Sequence, residues 1–376
     1  MTHDIFARVE PIWLDSADTD EYVDSIPLLS IVRVRRNVAG FPFPAGCKSS
    51  ELYDSAALLL GCIGRSDLWN DFDLRMIDKM AKETRHLLVE SGMISPLLAR
   101  GGAGRFSLKN TTGTVACMIN EEDHLSMTVM NKGLVLSSAK ETLTELMTSI
   151  DVPLAQDAVL GCLTANPNYV GTGMTASVLL HLPAIDAAGE VPRVCAEFEK
   201  SCSGLAFYKL LSDEKNGSGS FYLLANRTTL SVSEDEIVSV VTEAARALVA
   251  KESSAWQKMR SSRDEDMNDR FWRAWGLLRH ARKLSFSEAV STLSFVKLGS
   301  SLGILPHVGD TEWRRMTMNS QRYHLGLASN QIIERVEEPY VRASRFRQFL
   351  ACGESVERRG DDRPEHIGIE IGRAHV

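Results

Sequence analysis

The chain has 376 residues, with 42 Lys and Arg against 49 Asp and Glu, for a net charge of −7. That balance excludes a generally basic nucleic-acid binder. With 44% hydrophobic and 24% charged residues, the chain as a whole is neither disordered, collagenous nor coiled-coil. The length exceeds what one core usually fills, so two domains are expected. The longest apolar runs, around Ala56–Leu60 and Val178–Pro183, fall far short of the roughly 20 residues that cross a bilayer. The opening Met1-Thr-His-Asp-Ile-Phe lacks the basic-then-apolar order of a secretory signal. Seven scattered cysteines without a C-x-x-C argue against a disulfide framework or a zinc site, and a reducing cytoplasm is the expected setting.

In chain order, residues 1–27 read as an acidic lead-in without periodicity. Helices are expected over 50–62 and 66–92, the latter on the spacing of Leu74, Ile77, Ala81 and Leu88. Gly101–Gly104 marks a loop. Two strands follow, 114–119 and 125–130, with Leu125, Met127 and Val129 alternating against polar residues. A helix over 138–150 carries Leu143, Leu146, Met147 and Ile150 on one stripe. Residues 158–165 read as a buried strand, 166–173 as a polar loop, and 174–182 as a helix on whose apolar face His181 is a core histidine. Strands are expected at 204–211 and 220–225, joined by a flexible 212–219. Ser233-Glu-Asp-Glu236 is a capping box opening a helix that buries Ile237, Val240, Val241, Ala244 and Leu248. Beyond 256 the pattern is helical only: Phe286, Ala289, Val290 and Leu293 share a stripe, and Trp272 and Trp275 read as packing residues. The domain reading is therefore a mixed α+β unit over 28–255, a smaller all-helical unit over 256–350, and a tail over 351–376. The last six residues, Ile371-Gly-Arg-Ala-His-Val376, equal an in-frame translation of a widely used sequencing adapter, and no function is attached to them.

Three stretches could carry chemistry. Arg33-Val-Arg35-Arg36-Asn37 offers planar, permanently charged guanidinium groups that can clamp phosphate, or line a solvated strand edge. Asn120-Glu121-Glu122-Asp123-His124 places three carboxylates between two apolar strands; such a cluster wants a cation, and one member can serve as general base, or it is a charged turn. Gly171-Thr172-Gly173-Met-Thr-Ala176 matches G-x-G-x-x-A, with Glu190 near the place of a ribose-binding acid. The loop before it is too long and polar for a dinucleotide turn, so a backbone-donor loop at a helix N-terminus, suited to anions, is the favoured reading. The nine histidines show no H-x-x-x-H pair, and no metal site borne by the protein is expected.

Together these stretches resemble the phosphagen (guanidino) kinase family, most nearly its bacterial protein-arginine kinases, over residues 28–350. The resemblance rests on Arg36-Asn-Val-Ala-Gly-Phe-Pro-Phe-Pro44, Met118-Ile-Asn-Glu-Glu-Asp-His-Leu125 and Val170-Gly-Thr-Gly-Met-Thr-Ala-Ser-Val-Leu-Leu-His-Leu-Pro183. It implies an α+β fold, an antiparallel sheet flanked by helices plus a smaller all-helical, dimerising C-terminal domain. It also implies transfer of the ATP γ-phosphate to arginine side chains. Under it Glu121, Glu122 and Asp213 are the catalytic carboxylates, and Ser30, Arg33, Arg36, Gly171, Thr172 and Gly173 the nucleotide-binding residues. Mg-ATP is then the cofactor if the chain is active, and none is expected otherwise.

The departures fall on the nucleotide side. Where the family pattern has S-R-x-R-x-x-R-N, this chain has Ile31 for the first arginine and keeps Arg33. Further family arginines are Ser126, Thr175 and Tyr208, and a family histidine before I-S-P is Gly92. Lys209 stands beside Tyr208 as a partial substitute. Near the C-terminus the phosphoarginine-reading R-D-x-x-R-A is reduced to Pro339-Tyr-Val-Arg342-Ala343. One lost phosphate donor typically costs a hundredfold or more in rate. The expectation is a family member with weak or no phosphotransfer, acting as regulator or adaptor in protein quality control. Its partners would be arginine- or phosphoarginine-bearing proteins, a Clp-type protease system and a second copy of itself. The alternative is an active protein-arginine kinase with a rebuilt nucleotide site carried by Lys209, Arg33, Arg35, Arg36 and the glycine loop.

Overall fold

The computed structural model describes residues 21–201, 204–210, 219–262 and 264–357. Among the described residues there are ten strands: β1 (Pro27–Arg36), β2 (Phe72–Met76), β3 (Phe106–Asn110), β4 (Val115–Ile119), β5 (Leu125–Lys132), β6 (Gln156–Asp157), β7 (Gly161–Cys162), β8 (Met174–His181), β9 (Leu205–Lys209) and β10 (Phe221–Asn226). Helices α1 (Tyr22–Ser25), α2 (Ser49–Ile63), α3 (Lys82–Glu90), α4 (Leu136–Thr148), α5 (Pro183–Ala187) and α6 (Val191–Ser201) alternate with them. Six more follow: α7 (Glu234–Ser261), α8 (Glu265–His280), α9 (Phe286–Ser301), α10 (Asp310–Asn319), α11 (Arg322–Ser329) and α12 (Glu338–Glu357).

Eight strands form one sheet in the order β2-β3-β4-β5-β1-β8-β10-β9, antiparallel throughout. β1, the arginine strand, is central rather than an edge. Because side chains alternate along a strand, Val32 and Val34 enter a core shared with α2, α4 and α7, including Leu59, Leu143 and Val241. Arg33 and Arg35 take the other face. A second core joins the helical region, with Phe271, Leu293 and Trp313, to Leu28 and Phe221 of the sheet. A third cluster packs Leu88, Met93, Ile94 and Leu98 on Met118 and Met130.

Several expectations are corrected. Residues 66–92 are not one helix: a turn, the edge strand β2 and α3 share them. An edge strand leaves both faces half open, and Leu74 is 48% exposed, so no burial rhythm marks it. β3 lies just beyond the Gly101–Gly104 loop, in a stretch to which the sequence reading assigns no element. Residues 158–165 are no buried strand but the short hairpin β6–β7, with Val159 88% exposed. The Asp157 carboxylate accepts the Val159 and Leu160 N–H groups and shapes that turn. Residues 174–182 form strand β8, not a helix. Met, Ala and Leu favour helix locally, but pairing with β1 and β10 on both sides decides otherwise. Val240 is exposed while Val238 is buried. The capping box at Ser233 and Glu236 is present. Helix α7 runs unbroken through residue 256. Trp275 is buried, whereas Trp272 is 48% exposed. His181 is a core residue on a strand, its Nε2 2.6 Å from Ser294 Oγ. No helix among the described residues is long and apolar enough to cross a membrane.

Candidate active site

The site lies on the sheet face opposite the main helical core. On β1, Ile31, Arg33 and Arg35 point the same way. Antiparallel register places Met130, Thr128 and Ser126 of β5 directly beside them. Thr175 of β8 sits opposite Arg33 on the other flank. Following the register through β10, where Ala225 pairs with Ser177 and Leu223 with Leu179, brings Tyr208 of β9 onto the same face. All the sheet positions where the family pattern has a replaced arginine, Ile31, Ser126, Thr175 and Tyr208, thus share this face with Arg33 and Arg35. Gly92 follows α3, exposed, with a φ of +74°. It lies in the segment leading to Met93 and Ile94, which cover the β4–β5 part of that face.

Arg33 donates from Nε to Thr128 Oγ1 at 2.8 Å. Arg35 donates from Nη1 to Thr175 Oγ1 at 3.0 Å, and its guanidinium carbon lies 3.7 Å from the centroid of the Tyr169 ring. Burial and then the neighbouring Arg35 charge push the Arg33 guanidinium down to about 10, partly offset by Glu121. Neither arginine forms an ion pair with a described carboxylate.

The acidic loop is built on Asn120, whose φ of +56° turns the chain sharply. Its side chain donates to the Leu52 and Gly104 carbonyls and accepts from Ser55, which fixes the loop against α2. Glu121 accepts from Ser95 Oγ and from the Glu122 N–H. Glu122 is held above the usual carboxylate range by burial and by Asp123 and Glu121, with Arg35 opposing. Asp123 is buried and accepts from Asn37 Nδ2 at 2.6 Å and Ala165 N at 2.7 Å. His124 accepts the Val38 N–H at Nδ1, and burial pushes it down to about 4, so it stays neutral. Within this loop, then, Asp123 and His124 tie strands together, while Glu121 and Glu122 stand half-buried beside the arginine pair. Asp213 lies outside the described residues.

Other expected nucleotide residues are placed elsewhere. Ser30 lies on the opposite face, donating to Gly133 O and accepting from Val135 N at the start of α4. Arg36 donates to Thr172 O at 2.8 Å and pairs with Glu234 of α7 at 3.5 Å. The glycine loop precedes a strand, not a helix, so no helix dipole supports it. The Gly171 N–H donates to Cys162 O and the Thr172 N–H to Thr229 O. A Cβ on Gly171 would stand 2.2 Å from Thr229 O, and one on Gly173 would stand 2.7 Å from Arg35 O. The glycines thus serve close backbone packing. Glu190 is paired with Arg193. Lys209 points to the helical side and pairs with Asp186 at 2.8 Å, away from Tyr208. Arg342 is buried and donates to the Ser320 and Leu284 carbonyls. Arg35, read from the sequence as part of the arginine run and of the alternative's rebuilt site, does face the site, whereas Tyr169 is a site member the sequence reading missed. The i, i+2 spacing puts Arg33 and Arg35 on one face; Tyr169 carries no such signal, because only the fold brings its loop over β1.

Sheet, helical flank and carboxylate loop are those of a guanidino-kinase catalytic unit. Residues 62–255 match the family model described as ATP:guanido phosphotransferase, C-terminal catalytic domain, and the chain belongs to that family. Residues 264–360 match the protein-arginine kinase McsB C-terminal domain. A protein-arginine kinase of Syntrophomonas wolfei is 28% identical over 355 residues, covering 93% of this chain and 98% of its own. One from Halothermothrix orenii is 32% identical over 285 residues, covering 75% and 81%. Among solved structures, lombricine kinase shares the fold with a TM-score of 0.52 at 18% identity, covering 67% of this chain and 75% of its own.

Proposed function

We propose that this chain is a protein-arginine kinase relative with weak or no phosphotransfer, which binds arginine- or phosphoarginine-bearing proteins as a regulator or adaptor. The observation that carries the reading is the convergence of Ile31, Ser126, Thr175 and Tyr208 on the sheet face of Arg33 and Arg35. Phosphoryl transfer depends almost wholly on positioning and on stabilising phosphate charge. The other cations that a rebuilt clamp would use, Arg36 and Lys209, are engaged on the opposite face. Glu121 and Glu122 remain beside the arginine pair and suit a guanidinium. The cytoplasm, a homodimer formed through the helical unit and service to a Clp-type protease fit the same reading. One observation favours the alternative of an active kinase using Mg-ATP: the curated relatives are named protein-arginine kinases.

The test is transfer of γ-labelled phosphate from Mg-ATP to an arginine-rich protein, scored as acid-labile label, with Glu122→Ala as control. Label at or near background is expected. Robust label that disappears in Glu122→Ala would overturn the reading.

A further inference from the structure

Arg33 and Arg35 present two guanidinium groups on one face of a central strand. Alternation places their Cα atoms about 7 Å apart, close enough for both to reach one tetrahedral anion. Arg35 is only 9% exposed. Each is held by one side-chain hydrogen bond, to Thr128 and Thr175 respectively, and Arg35 is also stacked on Tyr169. Of the five N–H donors each guanidinium carries, those bonds use one apiece among the described residues. Glu121 and Glu122 stand beside the pair and offset part of its charge, but no described carboxylate is in ion-pair contact with either guanidinium, so most of the N–H donors on this face are open to a small anion.

The surroundings limit the anion's size. Toward Ile31 the face becomes apolar, where Ile31 packs on the cluster of Met118, Met130 and Met93. Toward the other end stand Glu121 and Glu122, which repel further negative charge. Ser126 and Thr175, the short neighbours of Arg35, add no cation.

We propose that Arg33 and Arg35 form a binding site for a single phosphoryl group, with Arg35, which the family pattern leaves unspecified, supplying half of its charge. Two guanidinium forks match one phosphoryl dianion. They undermatch a triphosphate, whose further charges would meet the apolar cluster or the carboxylates. A phosphorylated guanidinium would place its phosphoryl group on the arginines and its nitrogens toward Glu121 and Glu122. This rests on the reading of this face as the phosphate side of the site, not on the absence of catalysis.

The experiment is calorimetric titration of the full chain with inorganic phosphate and, separately, with N-phosphoarginine. Wild type should bind both in a saturable one-to-one manner. Tighter binding of phosphoarginine would assign the carboxylates a share; equal binding would confine the site to the phosphoryl group. Arg35→Ala should weaken both by about tenfold to a hundredfold, and Arg35→Lys by less. Because Ser126 is the cross-strand partner of Arg35, Arg35→Ala combined with Ser126→Arg should recover part of the loss, which also shows that the variants fold. No saturable binding by wild type, or unchanged binding by Arg35→Ala, would overturn the site. Labelled transfer by a chain that still needs Arg35 for phosphate would overturn the proposed loss of catalysis and leave this inference standing.

Discussion

Arg35 and Arg36 are neighbours in sequence and serve opposite faces of the sheet. Arg35 stacks under Tyr169 at 3.7 Å and donates to Thr175, whereas Arg36 donates to the Thr172 carbonyl and pairs with Glu234. Arg36→Ala should therefore destabilise the fold by about 2 kcal/mol, because it leaves buried acceptors without a donor, while phosphate affinity stays within about twofold. Urea unfolding and phosphate titration of the same preparation check both halves.

Tyr169 holds Arg35 from above. Tyr169→Ala should weaken phosphate binding by a few fold, in line with about 0.5–2 kcal/mol for a cation–π contact. Tyr169→Phe keeps the ring face and should bind as wild type does. Calorimetry on the two variants separates ring from hydroxyl.

Glu90 joins the helical region to the sheet unit. Its carboxylate accepts the Tyr323 and His324 N–H groups at the start of α11, each at 3.0 Å, and lies 2.6 Å from His324 Nδ1. Glu90→Ala removes a helix cap and a buried partner together and should cost about 2 kcal/mol. A lower urea midpoint at unchanged phosphate affinity is the expected result.

Glu252 gives stability a pH dependence. It is fully buried, accepting from Tyr22 Oη and from the Ala184 and Ile185 N–H groups. Burial pushes its carboxyl up to about 7 despite those donors. A carboxyl raised in the folded state contributes stability that is full below the unfolded value of about 4.3 and lost as pH rises through about 7. Wild type should therefore lose stability relative to Glu252→Gln between about pH 4.3 and 7. Urea midpoints of both proteins across that range test the sign.

Gly171 has a φ of +115°, and a Cβ there would overlap the Thr229 carbonyl oxygen. Gly40 has a φ of +83° with open space around it. Gly171→Ala should cost about 3 kcal/mol or more and Gly40→Ala about 1 kcal/mol, the second being backbone strain alone. Thermal unfolding of the pair distinguishes close packing from φ preference.

The fold class, the capped start of α7, the strands of the carboxylate loop and the family are legible without coordinates, because each is written in local pattern or contiguous motif. Polar and apolar residues alternate visibly around Leu125, and the Ser233 box closes within four residues. Which side of the sheet each motif residue serves, by contrast, came from long-range strand pairing. Three arginines in four residues look like one cluster, yet strand alternation splits Arg36 from Arg33 and Arg35. Residues 174–182 read as helix because Met, Ala and Leu favour it, and became a central strand because β1 and β10 satisfy the backbone on both edges. Lys209 looked like a replacement for its neighbour and points away from it, for the same period of two. Tyr169 reaches Arg35 only through a chain reversal far along the sequence. Register and pairing are long-range properties, so side-chain direction was set by strands that lie up to about 150 residues apart in the sequence.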